Sequence, residues 1–157
     1  MTKVLFVCLG NICRSPTADG IFREIIKREK LDQKIIVDSA GTGDWHIGKA
    51  PDSRTIAAAK KRGYDLSILR ARQVITADFD EFDYVLAMDN ANLRDLHSLR
   101  PPHFSGHLGL FLDFGSRKTH REVPDPYYGG NDGFELVLDL VEEAAEGLLS
   151  HIRQRLY

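Results

Sequence analysis

Cys8 and Arg14 stand at the two ends of CLGNICR with five residues between them, and Ser15 and Pro16 follow directly. A loop wound at the N-terminus of a helix turns several backbone N–H groups into one hollow, where those groups and the helix dipole favour an anion. Gly10 and Asn11 suit the backbone turns that such a loop needs. The same field stabilises a thiolate, so Cys8 at the start of the loop is expected to be nucleophilic at neutral pH. Arg14 offers a planar fork that can hold two equatorial oxygens of a phosphoryl group while the Cys8 sulfur attacks phosphorus. The chemistry indicated is phosphoryl transfer to cysteine, with Leu9, Gly10, Asn11, Ile12 and Cys13 as the phosphate cradle and Arg14 as its clamp.

Such a loop must hang between a strand and a helix. KVLFVCL, residues 3 to 9, is a near-continuous apolar run of the kind buried on both faces of a sheet. Ser15 reads as a helix N-cap with Pro16 at the first helical position, and Ile21, Phe22, Ile25 and Ile26 follow at helical spacing to about Lys30. Residues 34 to 42 read as a second strand and 51 to 63 as a second helix ended by Gly63. FDYVLAMD, 82 to 89, reads as a third strand, and the helix after it carries a stripe of Leu93, Leu96 and Leu99. HLGLFLDFG, 107 to 115, reads as a fourth strand, followed by a polar stretch rich in turn formers. A long amphipathic helix closes the chain through Phe134, Leu138, Val141, Ala145, Leu148, Leu149 and Ile152. Strands alternating with helices predict a parallel sheet with helices on both faces. Ligands of such sheets sit at the carboxyl ends of the strands, where the Cys8 loop lies.

The remaining properties narrow the class. A chain of 157 residues with 43% hydrophobic content supports one core, so residues 1 to 157 are read as a single domain. The net charge of −2 marks it as a binder of neither nucleic acid nor an anionic membrane. Its N-terminal apolar run is too short for a signal peptide, and no segment is long enough to span a membrane, so a cytoplasmic location is expected. The two cysteines, Cys8 and Cys13, would close too small a loop to be a useful staple, and they lack the further ligand pair that zinc requires. No metal or cofactor is needed, because the loop amides and Arg14 already neutralise a phosphate. Cys13 is either plain packing or a resolving thiol that traps oxidised Cys8 as a disulfide. Asp89, at the end of the third strand, either bonds neighbouring loops or caps the helix after it. Trp45, in the loop GTGDWHIGKAP, is either a buried anchor or one wall of a substrate slot, with Leu9 at the floor.

VCLGNICRSP, with DPYYGG far downstream, resembles the low-molecular-weight protein tyrosine phosphatase family, and the order of strands and helices agrees along almost the whole chain. The resemblance implies a four-stranded parallel sheet with the phosphate-binding loop after the first strand, and a phosphocysteine intermediate. It implies that Ser15 hydrogen-bonds the cysteine and helps the thiolate leave, and that Asn11 braces the loop. Asp125, otherwise an ordinary turn aspartate before proline, becomes the general acid for the leaving group and then the base for water, from which a mildly acidic optimum is expected. Tyr127 and Tyr128 become the wall of a slot for an aromatic ring. The substrates implied are tyrosine-phosphorylated proteins, with a tyrosine kinase as a possible partner and a monomer or weak dimer as the expected assembly.

Related readings are weighed by single residues. Arginine phosphatases of the same fold commonly carry threonine two positions before the arginine, where this chain has the apolar Ile12, which favours an aryl substrate. A phosphopeptide-binding module would need neither Cys8 nor Asp125. KKRGYDLSILRARQV lacks the histidines found beside the phosphate loop in eukaryotic members, so other groups must support that loop.

Overall fold

The computed structural model describes residues 1 to 116, 119 to 127 and 129 to 156. Four strands, β1 (Thr2–Cys8), β2 (Ile35–Gly41), β3 (Tyr84–Ala87) and β4 (His107–Leu110), form one sheet in the order β2-β1-β3-β4. All three pairings are parallel, with Val4 opposite both Val37 and Tyr84. The helices are α1 (Arg14–Arg28), α2 (Ser53–Lys61), α3 (Asp78–Glu81), α4 (Asn90–Leu99) and α5 (Asn131–Leu156).

Strand β1 lies at the centre, and Val4, Leu5, Phe6 and Val7 have no exposed surface because both faces are covered. Alternation divides them: Val4, Phe6 and Cys8 pack with Ile21 and Phe22 of α1 and Leu138 and Val141 of α5. Leu5 and Val7 pack on the other face with Phe79, Phe82, Leu96 and Phe104. Phe6 meets the rings of Phe111 and Phe22 edge-on at 4.9 and 5.9 Å, contacts worth about 1 kcal/mol each beyond burial. The expected apolar stripes of α1 and α5 are buried throughout. On α4, Leu96 is fully buried and Leu93 partly so, whereas Leu99 at the helix end is exposed. Among the described residues, no helix is long and apolar enough to cross a membrane.

Three local expectations are corrected. Ser15 does not cap α1: the helix begins at Arg14, Cys13 holds the cap position without a side-chain cap bond, and the Ser15 hydroxyl points instead at the Cys8 sulfur. Strand β4 ends at Leu110, and residues 111 to 114 form a 3-10 turn that drops Phe111 into the core; an apolar run alone cannot separate these two conformations. The four-residue α3 was not expected, because helical periodicity needs more length than it has. Elsewhere the boundaries shift by one to three residues, with Asp52 capping α2 and Gly63, at φ 90°, ending it.

The order β2-β1-β3 places the point where the sheet changes winding direction between β1 and β3. The loops leaving their carboxyl ends part there and open a crevice. Cys8 ends β1 and Asp89 follows β3, so both stand at that crevice.

Candidate active site

The cradle is built by turning carbonyls outward. Cys8 O accepts from Thr42 N, Leu9 O from Gly43 N, and Ile12 O from Asp52 N, while Cys13 O accepts from the Thr17 hydroxyl. Asn11 occupies the left-handed region at φ 57° and donates its backbone N–H inward to the Cys8 sulfur at 3.3 Å. Gly41 permits this packing, since a Cβ there would stand 2.7 Å from Leu9 O. The Ser15 hydroxyl lies 3.0 Å from Cys8 Sγ, and Asn11 Nδ2 donates to that hydroxyl at 2.8 Å and to Ser39 Oγ at 3.0 Å. Both expected roles of Asn11, the turn and the brace, are therefore present.

Arg14 is 3% exposed, and its Nη1 donates to Asp89 Oδ2 at 2.6 Å and to Val123 O at 3.0 Å. Its Nη2 faces Asp125 Oδ2 at 3.7 Å. Burial opposes the positive charge, but Cys8, Asp89 and Asp125 outweigh it and hold the guanidinium pKa above its ordinary value. Asp89 serves both alternatives left open by the sequence: Oδ2 takes Arg14, while Oδ1 accepts from Asn92 N at 2.8 Å in a capping box on α4.

Val123 carries the segment before Asp125 across the end of β3, donating to Met88 O and accepting from Arg14. Asp125 is then held at the mouth by the N–H of Tyr127, which donates to Oδ1 at 3.0 Å. Arg54 secures the same segment: it donates to Tyr127 O at 3.0 Å, and its guanidinium lies 5.4 Å from the Tyr127 ring and 4.9 Å from that of Phe134.

These groups enclose a cleft of about 350 Å³. Its floor is Cys8, Leu9, Gly10, Ile12 and Cys13; Arg14 and Asp125 form one side, and Trp45 and Tyr127 stand as walls. Trp45 is 64% exposed, which removes the buried-anchor alternative. Tyr128, expected beside Tyr127, lies outside the described residues. Burial pushes the Cys13 thiol up to about 12, so at neutral pH it stays protonated. Ile12 is buried against Cys13, Ala71 and Phe134.

Sequence reasoning missed His46, which lines the cleft so closely that a Cβ on Gly10 would meet its ring at 2.9 Å. Its place next to Trp45 was the available signal. Ser39 and Arg72, the outer partners of Asn11, were missed too, because their contacts join segments distant in the chain.

Comparison with known proteins identifies relatives of the whole chain. The family model for low molecular weight phosphotyrosine protein phosphatases matches residues 3 to 156. A putative low molecular weight protein-tyrosine-phosphatase of Synechocystis is 47% identical over 155 residues, covering 98% of both chains. Among solved structures, a protein tyrosine phosphatase from Entamoeba histolytica superposes with a TM-score of 0.95 at 41% identity, covering 100% of each chain. A Drosophila arginine phosphatase superposes with a TM-score of 0.90 at 33% identity, covering 97% of this chain and 98% of its own. With a family model matched over nearly its whole length and a relative 47% identical over 155 residues, the chain belongs to the low molecular weight phosphotyrosine protein phosphatase family.

Proposed function

We propose that this protein hydrolyses phosphotyrosine in proteins, and small aryl phosphates, through a phosphocysteine intermediate. The observation that carries the reading is the Cys8 sulfur, 3.0 Å from the Ser15 hydroxyl, on the floor of a cleft whose side holds Arg14 and Asp125. In the first step the Cys8 thiolate attacks phosphorus and the bond to the phenolic oxygen breaks, while Asp125 gives that oxygen its proton. A positioned general acid of this kind contributes ~10²–10⁴ in rate. The loop from Leu9 to Cys13 and the Arg14 fork hold the three equatorial oxygens. Asp89 and Val123 fix one end of that fork, so the rest need not reorient as charge develops. In the second step the Asp125 carboxylate takes a proton from water, whose oxygen attacks phosphorus. The sulfur–phosphorus bond breaks, inorganic phosphate leaves, and the Ser15 hydroxyl hydrogen-bonds the departing thiolate.

Trp45 and Tyr127 flank the ring of the substrate, and Leu9 meets its lower edge. The apolar Ile12 supports an aryl over a guanidinium leaving group, although the likeness to the Drosophila arginine phosphatase makes phosphoarginine the competitor to test. The proposed partners are tyrosine-phosphorylated proteins and the kinase that supplies them, acting on a monomer or weak dimer. A cytoplasmic location is supported by a chemistry that requires a reduced thiol and by two free cysteines. Cys13 is proposed to protect Cys8: peroxide converts the Cys8 thiolate to a sulfenic acid, and the Cys13 thiolate displaces hydroxide from it to form a disulfide.

Turnover of matched phosphotyrosine, phosphoserine and phosphoarginine peptides without metal tests the assignment. Phosphotyrosine release that disappears in Cys8→Ser supports it. Preference for phosphoarginine overturns the substrate class, and tight binding without turnover overturns catalysis.

A further inference from the structure

The segment KKRGYDLSILRARQV carries no histidine, which raises the question of what holds Asn11 from that side. Its amide has one acceptor atom and one donor atom with two protons, and all are engaged. Oδ1 accepts from the backbone N–H of Arg72 at 3.0 Å, and Nδ2 donates to Ser15 and Ser39. A backbone N–H can only donate, so it determines which end of the amide is oxygen. With Nδ2 thereby facing Ser15, the Ser15 oxygen accepts, and its single proton must go elsewhere. Cys8 Sγ at 3.0 Å is nearer than the other acceptor, Ala40 O at 3.4 Å.

Arg72 is itself clamped. Its guanidinium meets Asp78 through two bonds of 3.1 and 3.0 Å, and its Nε donates to Asp38 at 3.1 Å. Its carbonyl accepts from Gly41 N. Asp78 is 4% exposed and also accepts from Ile75 N, while the other oxygen of Asp38 accepts from Ser39 N at 2.8 Å. The ring of contacts closes from Arg72 through Asp38 and Ser39 to Asn11 and back to Arg72.

We propose that Arg72, held by Asp78 and Asp38, is a positioning residue that orients the Asn11 amide and so directs the Ser15 proton onto the Cys8 sulfur. The hydrogen bond stabilises the thiolate as attacking group and as leaving group. Only the second of these roles rests on the proposed hydrolysis.

Alkylation of Cys8 by iodoacetamide, assigned by mass spectrometry, tests the proposal without any substrate. In Arg72→Gln the rate at about pH 6 should fall roughly 5- to 10-fold while the rate at about pH 9 stays within about twofold, because only thiolate formation is impaired. Asn11→Ala should match it, and the double variant should be no slower than either single one. Arg14, with Asp89 and Asp125 behind it, is unchanged in all of these. Equal slowing at both pH values, or additive losses in the double variant, would overturn the proposal. Should Arg72→Gln not fold, Arg72→Lys and Asp78→Asn weaken the clamp without removing it and must slow only the acidic arm. Failure of phosphotyrosine turnover in the parent protein would leave this rate ratio unaffected, so the two readings fail separately.

Discussion

Arg14 Nη1 and Asp89 Oδ2 meet at 2.6 Å across the crevice between β1 and β3, joining the phosphate loop to the N-terminus of α4. Removing the carboxylate leaves a nearly buried guanidinium without its closest partner. Asp89→Asn should retain the helix cap, since asparagine caps as well as aspartate, so its fall in melting temperature reports the orphaned guanidinium alone. Asp89→Ala loses the cap as well, a further cost of about 1 kcal/mol. Both variants should lower kcat/KM at least ~10-fold, because only Val123 O then fixes the Arg14 fork against the phosphate. Thermal unfolding alongside steady-state kinetics separates the two effects, and an Asn variant with full activity would remove the positioning role.

Asp125 is expected to matter in proportion to the basicity of the leaving group. On phenyl phosphate, Asp125→Ala should reduce kcat by ~10²–10⁴. On 4-nitrophenyl phosphate, whose leaving group needs little protonation, the loss should be much smaller. Equal losses on both substrates would assign Asp125 to something other than acid catalysis.

Trp45 is so exposed that its removal should hardly change stability. Trp45→Ala should instead raise KM for aryl phosphates, by about 1 kcal/mol of lost ring contact, with little change for a small alkyl phosphate. A melting temperature that falls by many degrees would show that it packs rather than binds.

Cys13 offers a test whose direction follows from its pKa, pushed up to about 12 by burial. A thiol held so far above neutrality forms the Cys8 disulfide slowly at pH 7, and the protected fraction after peroxide should rise steadily with pH over the usable range. Recovery by added thiol should follow that fraction in the parent protein and be lower in Cys13→Ser. Equal recovery in both would end the protective role.

At the far edge of the sheet, His107 and His151 surround Tyr84 and Phe114, with ring centroids 5.0 to 5.7 Å apart where the histidines touch them. Burial lowers both imidazole pKa values, and Arg155 adds to the effect, while Asp113 opposes it at His107. The unfolded chain therefore takes up protons first as pH falls through about 6.5, so stability present above that value is lost below it. The melting temperature should decline between about pH 7 and pH 5, and less steeply in the His107→Gln, His151→Gln double variant.

What the sequence disclosed follows from how local each feature is. The apolar run of residues 3 to 9, the stripe of Ile21, Phe22, Ile25 and Ile26, and the spacing from Cys8 to Arg14 are all contained within short stretches of chain, and the structure repeats them. Asp125 was legible only through resemblance, since nothing in DPYY itself sets a carboxylate beside Arg14; Val123 and the end of β3 do that. Ser15 reads locally as a helix cap, and its bond to Cys8 was legible only through the resemblance, because that sulfur, seven residues earlier, comes near only once β1 and α1 are packed. The support of Asn11 by Ser39 and Arg72 spans 28 and 61 residues, beyond any periodic signal.

Cys8 continues the inward phase of Val4 and Phe6, so the nucleophile is also the last side chain that β1 turns toward α1 and α5. A slip of β1 by one residue would exchange its two faces, turning Leu5, Val7 and Leu9 to that side and carrying the sulfur away from Ser15. Catalytic competence is thus a proofreading signal for the sheet. In a refolding experiment, the titre of chains able to release phosphate counts those whose central strand has found its native pairing.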